Sequence, residues 1–151
     1  MIKVERKNTE KAEKAIKSLQ NAKKKNSTYN TPEVNSALRE MFHGKCYICE
    51  NKEITSYQIE HLIPHRGDKE LKYDWKNLYL ACAHCNNTKL DKYEPILDCT
   101  KDNIEEHIAF RKRGFKMLVE TAVRGWFSIC SFQEMADKGQ QRCISRVAGV
   151  Y

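Results

Sequence analysis

Four of the seven cysteines in this 151-residue chain stand as two pairs, Cys46/Cys49 and Cys82/Cys85, and no other feature restricts the fold as tightly. A CxxC pair presents two thiolates to one metal from a single tight turn, and two such pairs complete a tetrahedral Zn²⁺ site. Four thiolates leave no open position for water or substrate, so the expected ion is structural. Disulfides are the competing use of paired cysteines; the odd total and a Lys-rich start without an apolar leader favour zinc. Such a site supplies on the order of 10 kcal/mol of apparent binding free energy, comparable to the whole stability of an ordinary domain. Cys99, Cys130 and Cys143 have no such spacing and read as plain thiols or core residues.

The length allows one domain, or a small domain with arms, around one modest core. No run of eighteen uncharged apolar residues is present to span a membrane, and the chain is expected to be cytoplasmic. The net charge of +7 is unevenly distributed: residues 1–32 carry nine Lys/Arg against three acids, 33–110 ten against fourteen, and 111–151 eight against three. An acidic centre between basic flanks suits a divalent-metal site approached by a polyanion; solvated surface helices are the plainer reading of the same lysines.

Hydrophobic spacing predicts a mostly helical α+β protein with one small hairpin. Thr9 caps a helix to about Lys25 whose narrow stripe is Ala12, Ala15, Ile16, Leu19 and Ala22. Asn26 to Asn30 reads as a linker, and Thr31 with Pro32 opens a second helix burying Val34, Ala37, Leu38, Met41 and Phe42, which Gly44 ends. Asp102 with Glu105 resembles a capping box for a helix through Ile104 and Ile108 to Gly114. Beyond it Phe115, Leu118, Val119, Ala122, Val123, Trp126, Phe127 and Cys130 recur at helical spacing, either as core or as a surface for a partner or a second copy. The expected divisions are a basic helical arm (1–30), a central domain with the zinc knuckles (31–114) and an amphipathic helical segment (115–151).

The chemistry lies between the cysteine pairs. The run Gln58 to Leu62 reads as a strand carrying Glu60 and His61, and Leu78 to Ala81 as a second strand leading to a helix with Asn86. Hydrolysis of a phosphodiester needs a base to activate water and a positive centre to take up developing charge. His61 is suited to the first task at neutral pH. Glu60 and Asn86 offer hard oxygen atoms for Mg²⁺ or Mn²⁺, with Asn86 positioned by the zinc ligand beside it.

The ordered set EH, NL, CxxCN and Lys89 over residues 44–93 resembles the HNH endonucleases of the ββα-metal fold. That resemblance implies His61 as general base, Glu60 and Asn86 as ligands of the catalytic ion, and Asn77 as the residue that ties the inter-strand loop to the backbone; many HNH proteins have histidine where Asn86 stands. The segments MIKVER, YDWKNLYLACAHCNNTKLDKYEPILD and DNIEEHIAF are similar to the nucleases of Septu-type and retron-linked anti-phage systems, which work beside an ABC-type ATPase. The resemblance fades beyond Gly114. It implies a metal-dependent nuclease acting on DNA, with RNA as the alternative substrate. His65, Arg66, Lys89 and the run Lys23, Lys24 and Lys25 are the candidate backbone contacts. The competing readings are a catalytically silent zinc module that only binds nucleic acid or a partner, and a nuclease gated by its partner.

Overall fold

Thr9 accepts the amide of Ala12 (3.2 Å) and so starts α1, Glu10–Lys25. Asn26 ends the helix in the left-handed region (φ 50°), which Asn tolerates better than most residues. A polar connection leads to Thr31, which caps α2, Pro32–Met41. Gly44 (φ +66°) returns its amide to the Arg39 carbonyl (2.8 Å), a closure of the helix end that a β-carbon would strain. The computed structural model describes residues 1–52, 56–91, 96–111 and 114–117.

The centre of the fold is the antiparallel pair β1 (Tyr57–His61) and β2 (Leu78–Cys82), in register from Tyr57↔Cys82 to His61↔Leu78. Between them run α3 (Lys69–Tyr73) and a 3₁₀ turn (Trp75–Asn77); after β2 the chain enters α4 (Ala83–Lys89) without a connection. All five residues of β2 are buried, as its unbroken LYLAC run suggests for a strand covered on both faces. Its second edge is capped by the first cysteine knuckle, whose Tyr47 amide donates to the Leu80 carbonyl (2.9 Å). Ala15, Leu19 and Ala22 of α1, Val34, Ala37 and Leu38 of α2, and Leu78, Leu80 and Ala81 of β2 share one core. Tyr79 joins α2 to the knuckle, its ring centroid 5.5 Å from Phe42 and 4.9 Å from Tyr47.

The segment before α1 docks on this core. Met1 is buried, the Val4 amide donates to the Cys99 carbonyl (2.9 Å), and Arg6 donates to the carbonyls of Trp75 (3.0 Å) and Leu78 (2.9 Å) while lying over the Tyr79 ring. Cys99 is a fully buried thiol, and burial pushes it up to about 12.

Two expectations are corrected. The helix expected from Asp102 to Gly114 is one turn, α5 (Ile104–His107), followed by the antiparallel strands β3 (Ile108–Arg111) and β4 (Gly114–Met117). Ile108/Phe110 and Phe115/Met117 fit a period of two as well as a helical one, and cross-strand pairing decides for the strand. Asp102 does not cap: its carboxylate accepts the Asp98 amide (2.7 Å) and closes the preceding turn. Consequently the apolar helix expected from Phe115 fails at its first residue, which lies in β4. Its remaining positions, Leu118 to Cys130, lie outside the described residues, as do Cys143 and the surface they were expected to form.

Candidate functional site

The four paired cysteines converge. Cys46, Cys49, Cys82 and Cys85 are all buried, and their four Sγ atoms lie within 4.8 Å of one another, Cys49 to Cys82 at 3.9 Å. Tetrahedral thiolates with Zn–S of about 2.3 Å have S···S edges of about 3.8 Å, so the cluster fits a closed zinc site. Cys46 and Cys49 sit on a turn closed by the Glu50 amide on the Cys46 carbonyl (2.9 Å), with Glu50 at φ 61°. Cys82 ends β2, and its Sγ caps α4 by accepting the Cys85 amide (3.3 Å). Hydrogen bonds from Cys46, Cys49 and Cys85 hold the Cys82 thiol well below its ordinary range, while those from Cys49 and Cys82 push the Cys46 thiol up, so the metal-free cluster shares its protons among the four sulfurs. Among the described residues this is the one group of three or more His, Cys, Asp or Glu side chains that could hold a metal.

Because α4 leaves β2 directly at the cysteine cluster, it lies back across β1. Residues two apart on a strand share a face, so Gln58 and Glu60 meet it together. Asn86 donates to Gln58 Oε1 (2.6 Å), and Lys89, one helical turn on, donates to Glu60 Oε1 (2.7 Å). Glu60 and Asn86 thus occupy the same β1–α4 interface. A carboxylate and an amide oxygen are ligand types that Mg²⁺ or Mn²⁺ accept, and these two residues could hold such an ion. Burial raises the Glu60 carboxyl, and its bond to Lys89 works in the opposite direction.

Lys89 differs from its expected place among the nucleic-acid contacts. Its side chain is 0% exposed, and the ammonium is spent on Glu60 and on the His61 carbonyl (2.8 Å). A lysine held this way anchors α4 to β1 and is not presented to a ligand. Lys89→Met keeps the stem volume but leaves Glu60 buried without its cation. The expected loss is about 3 kcal/mol of unfolding free energy in a urea titration, and a variant as stable as the wild type would contradict the pair.

His61 projects to the other face of β1 from Glu60. Its Nε2 lies 3.0 Å from the Lys72 carbonyl, an acceptor, so Nε2 carries the hydrogen and Nδ1 carries the lone pair. The ring is flanked edge-on by Tyr29 (4.7 Å) and by His65 (4.8 Å). Burial lowers the imidazole below its usual range, the Lys72 carbonyl partly offsetting this, so the neutral form prevails at neutral pH.

Asn77, 4% exposed, spends its amide on the loop after β1: Oδ1 accepts the Ile63 amide (2.8 Å), and Nδ2 donates to the carbonyls of Ile63 (2.9 Å) and Leu71 (3.1 Å). His65 and Arg66 follow on the same loop, His65 half-buried and Arg66 exposed with Nη2 toward the Asp91 carbonyl (3.4 Å). Lys24 and Lys25 are exposed at the end of α1, whereas Lys23 pairs with Glu70 of α3 (2.5 Å).

Three features of the site are absent from the sequence expectations. Gln58 and the pairing of Lys89 were detectable in principle, Gln58 lying two residues before Glu60 and Lys89 three after Asn86. Tyr29 was not: it sits in the polar α1–α2 connection and reaches His61 only through the docking of α1, which Tyr73 helps secure by donating to the Ser27 carbonyl (2.5 Å). No helix among the described residues is long and apolar enough to cross a membrane.

Residues 46–92 match the family model described as HNH endonuclease. Two curated relatives carry the name Septu protein PtuB. The protein from Bacillus thuringiensis is 35% identical over 89 residues, covering 55% of this chain and 35% of that protein. The protein from Bacillus mycoides (strain KBAB4) is 29% identical over 136 residues, covering 67% of this chain and 46% of that protein. The chain therefore spans less than half the length of the curated relatives it matches. No solved structure matches it.

Proposed function

We propose, from the HNH endonuclease domain that residues 46–92 form, that this chain is a divalent-metal-dependent nuclease that hydrolyses phosphodiester bonds in DNA. The observation that carries the proposal is the placement of His61. A buried neutral imidazole with its Nε2 hydrogen fixed on Lys72 has Nδ1 free to take a proton from water. The attacking oxygen then forms the new P–O bond, the opposite ester bond breaks, and the departing oxygen takes a proton from solvent. Glu60 and Asn86 would hold the catalytic ion, with Gln58 orienting the Asn86 amide and Asn77 keeping the loop in register with β1. Bound there, Mg²⁺ or Mn²⁺ supplies positive charge to the phosphate and the leaving oxygen. The zinc cluster sets the base of α4 and, through it, the position of Asn86.

The direct test is nicking of supercoiled plasmid by the purified chain, with chelator as control. Cleavage that needs Mg²⁺ or Mn²⁺ and is displaced to higher metal concentration in Asn86→Ala supports the reading. Metal-independent cleavage, or an unchanged dependence in that variant, removes Asn86 as a ligand. Arg66, Lys24 and Lys25 are placed against the nucleic-acid backbone. Their joint replacement by Ala should flatten the log–log dependence of DNA binding on salt by about 0.9 for each phosphate no longer neutralised, and an unchanged slope assigns them to solvent.

Similarity to the two Septu proteins supports a role as the nuclease component of an anti-phage system. An ABC-type ATPase is the partner we assign to it on the motif resemblance. A catalytically silent module is the competing reading. Co-purification with that ATPase tests the partner, and the plasmid assay run with and without it separates an active nuclease from a silent or a partner-gated one.

A further inference from the structure

Two imidazoles lie side by side at the end of β1, and the backbone has assigned each of them one hydrogen. His61 and His65 have ring centroids 4.8 Å apart at 68°. His61 donates from Nε2 to the Lys72 carbonyl and keeps Nδ1 as an acceptor. His65 is the reverse at its inner nitrogen: Nδ1 accepts the Gly67 amide (3.1 Å). In the neutral ring the hydrogen is then on Nε2, so the pair of adjacent rings carries one donor, His65 Nε2, and one acceptor, His61 Nδ1.

The turn that achieves this is an unfavourable one. The Asp68 amide donates to the His65 carbonyl (2.6 Å), and the two central residues, Arg66 (φ 43°) and Gly67 (φ 92°), both have positive φ, the pattern of a type I′ turn. Glycine takes this conformation freely, whereas arginine in the left-handed region costs on the order of 1 kcal/mol. What the turn provides is the Gly67 amide at His65 Nδ1, and with it the orientation of the Nε2 hydrogen. The same loop is tied down at Ile63 by the buried Asn77 side chain.

We propose that His65 is a second catalytic imidazole, whose Nε2 hydrogen bonds a non-bridging oxygen of the scissile phosphate while Nδ1 of His61 takes the proton from the attacking water. This role rests on the proposed nuclease activity. The bond grows stronger as negative charge accumulates on the phosphate oxygens, so it favours the transition state over the bound substrate. His65 takes no proton and gives none away: the P–O bond to water forms, the opposite ester bond breaks, and both proton transfers belong to His61 and solvent.

The experiment is single-turnover nicking of supercoiled plasmid with Mg²⁺ by the wild type, His61→Ala, His65→Ala and His65→Gln, with DNA binding and zinc content measured for each. Glutamine keeps an N–H donor at about the reach of Nε2. The expected result is a fall of the maximum rate of roughly 10²-fold in His65→Ala, the size lost with one donor to a developing oxyanion. His65→Gln should recover most of that loss, and binding should stay near the wild type in both. Nitrogen NMR of the imidazoles should show the His65 hydrogen on Nε2. A wild-type rate in His65→Ala overturns the assignment, and so does an equal loss in Ala and Gln, which marks a merely structural side chain. A hydrogen on Nδ1 of His65 overturns it as well. A wild-type chain inactive with every divalent ion, both alone and with its candidate ATPase partner, overturns the nuclease reading and this assignment together, whereas a His61→Ala variant that is dead beside an unimpaired His65→Ala removes only the second imidazole.

Discussion

Cys82→Ser protein is expected to contain no zinc and to lack the helical far-ultraviolet signal of the wild type. Cys82 has three functions at one position. It ends β2, its Sγ caps α4, and it is one of the four converging sulfurs. Serine offers a shorter, harder oxygen that reaches neither the metal nor the Cys85 amide in the same way. Loss of a structural zinc removes on the order of 10 kcal/mol, which exceeds the margin of most small domains. Metal analysis of wild-type protein purified without added zinc should give one ion per chain, and chelation should reproduce the variant's loss of structure. A folded, soluble wild-type protein with a zinc content near zero would exclude the structural role.

His61→Ala should reduce plasmid cleavage by about 10²-fold or more, with zinc content and the thermal transition retained. The alanine removes the acceptor Nδ1 and leaves the Glu60–Lys89 pair, on the opposite face of β1, intact. The Lys72 carbonyl loses its partner at a half-open site where water can replace the donor, so the effect falls on rate and not on folding. Cleavage at the wild-type rate would sink the mechanism.

The difference between these two variants follows from how each site is encoded. The four-cysteine cluster is legible because a CxxC pair is a local object: four residues of chain suffice to aim two sulfurs at one point, and only the meeting of the two pairs requires the fold. The placement of the candidate site residues was legible for a related reason. Alternation along β1 sends Glu60 and His61 to opposite faces, and the direct passage of β2 into α4 brings Asn86 back over the first of them. Caps at Thr9 and Thr31 and the turn at Gly44 are likewise short-range chemistry, and the helices they bound lie where the residues indicate.

Tertiary structure decided the rest. Lys89 carries the same charge as Lys24, and nothing within a few residues distinguishes an ammonium that will be buried on Glu60 from one that will stand in water. The distinction arises because α4 turns that residue toward β1. Tyr29 reaches His61 across the α1–α2 connection, a contact between segments distant in sequence. The stretch from Ile104 to Met117 shows the limit most directly. Its apolar residues satisfy a helical and a strand period equally, so local pattern had no means of choosing, and hydrogen bonds between β3 and β4 made the choice. By itself the sequence determined the four-cysteine cluster and the strand–strand–helix unit, and it singled out His61 as the candidate base. Only the assembled chain determined which charges are buried, which rings flank His61 and which nitrogen of His61 and of His65 carries the hydrogen, because those depend on groups that meet through folding alone.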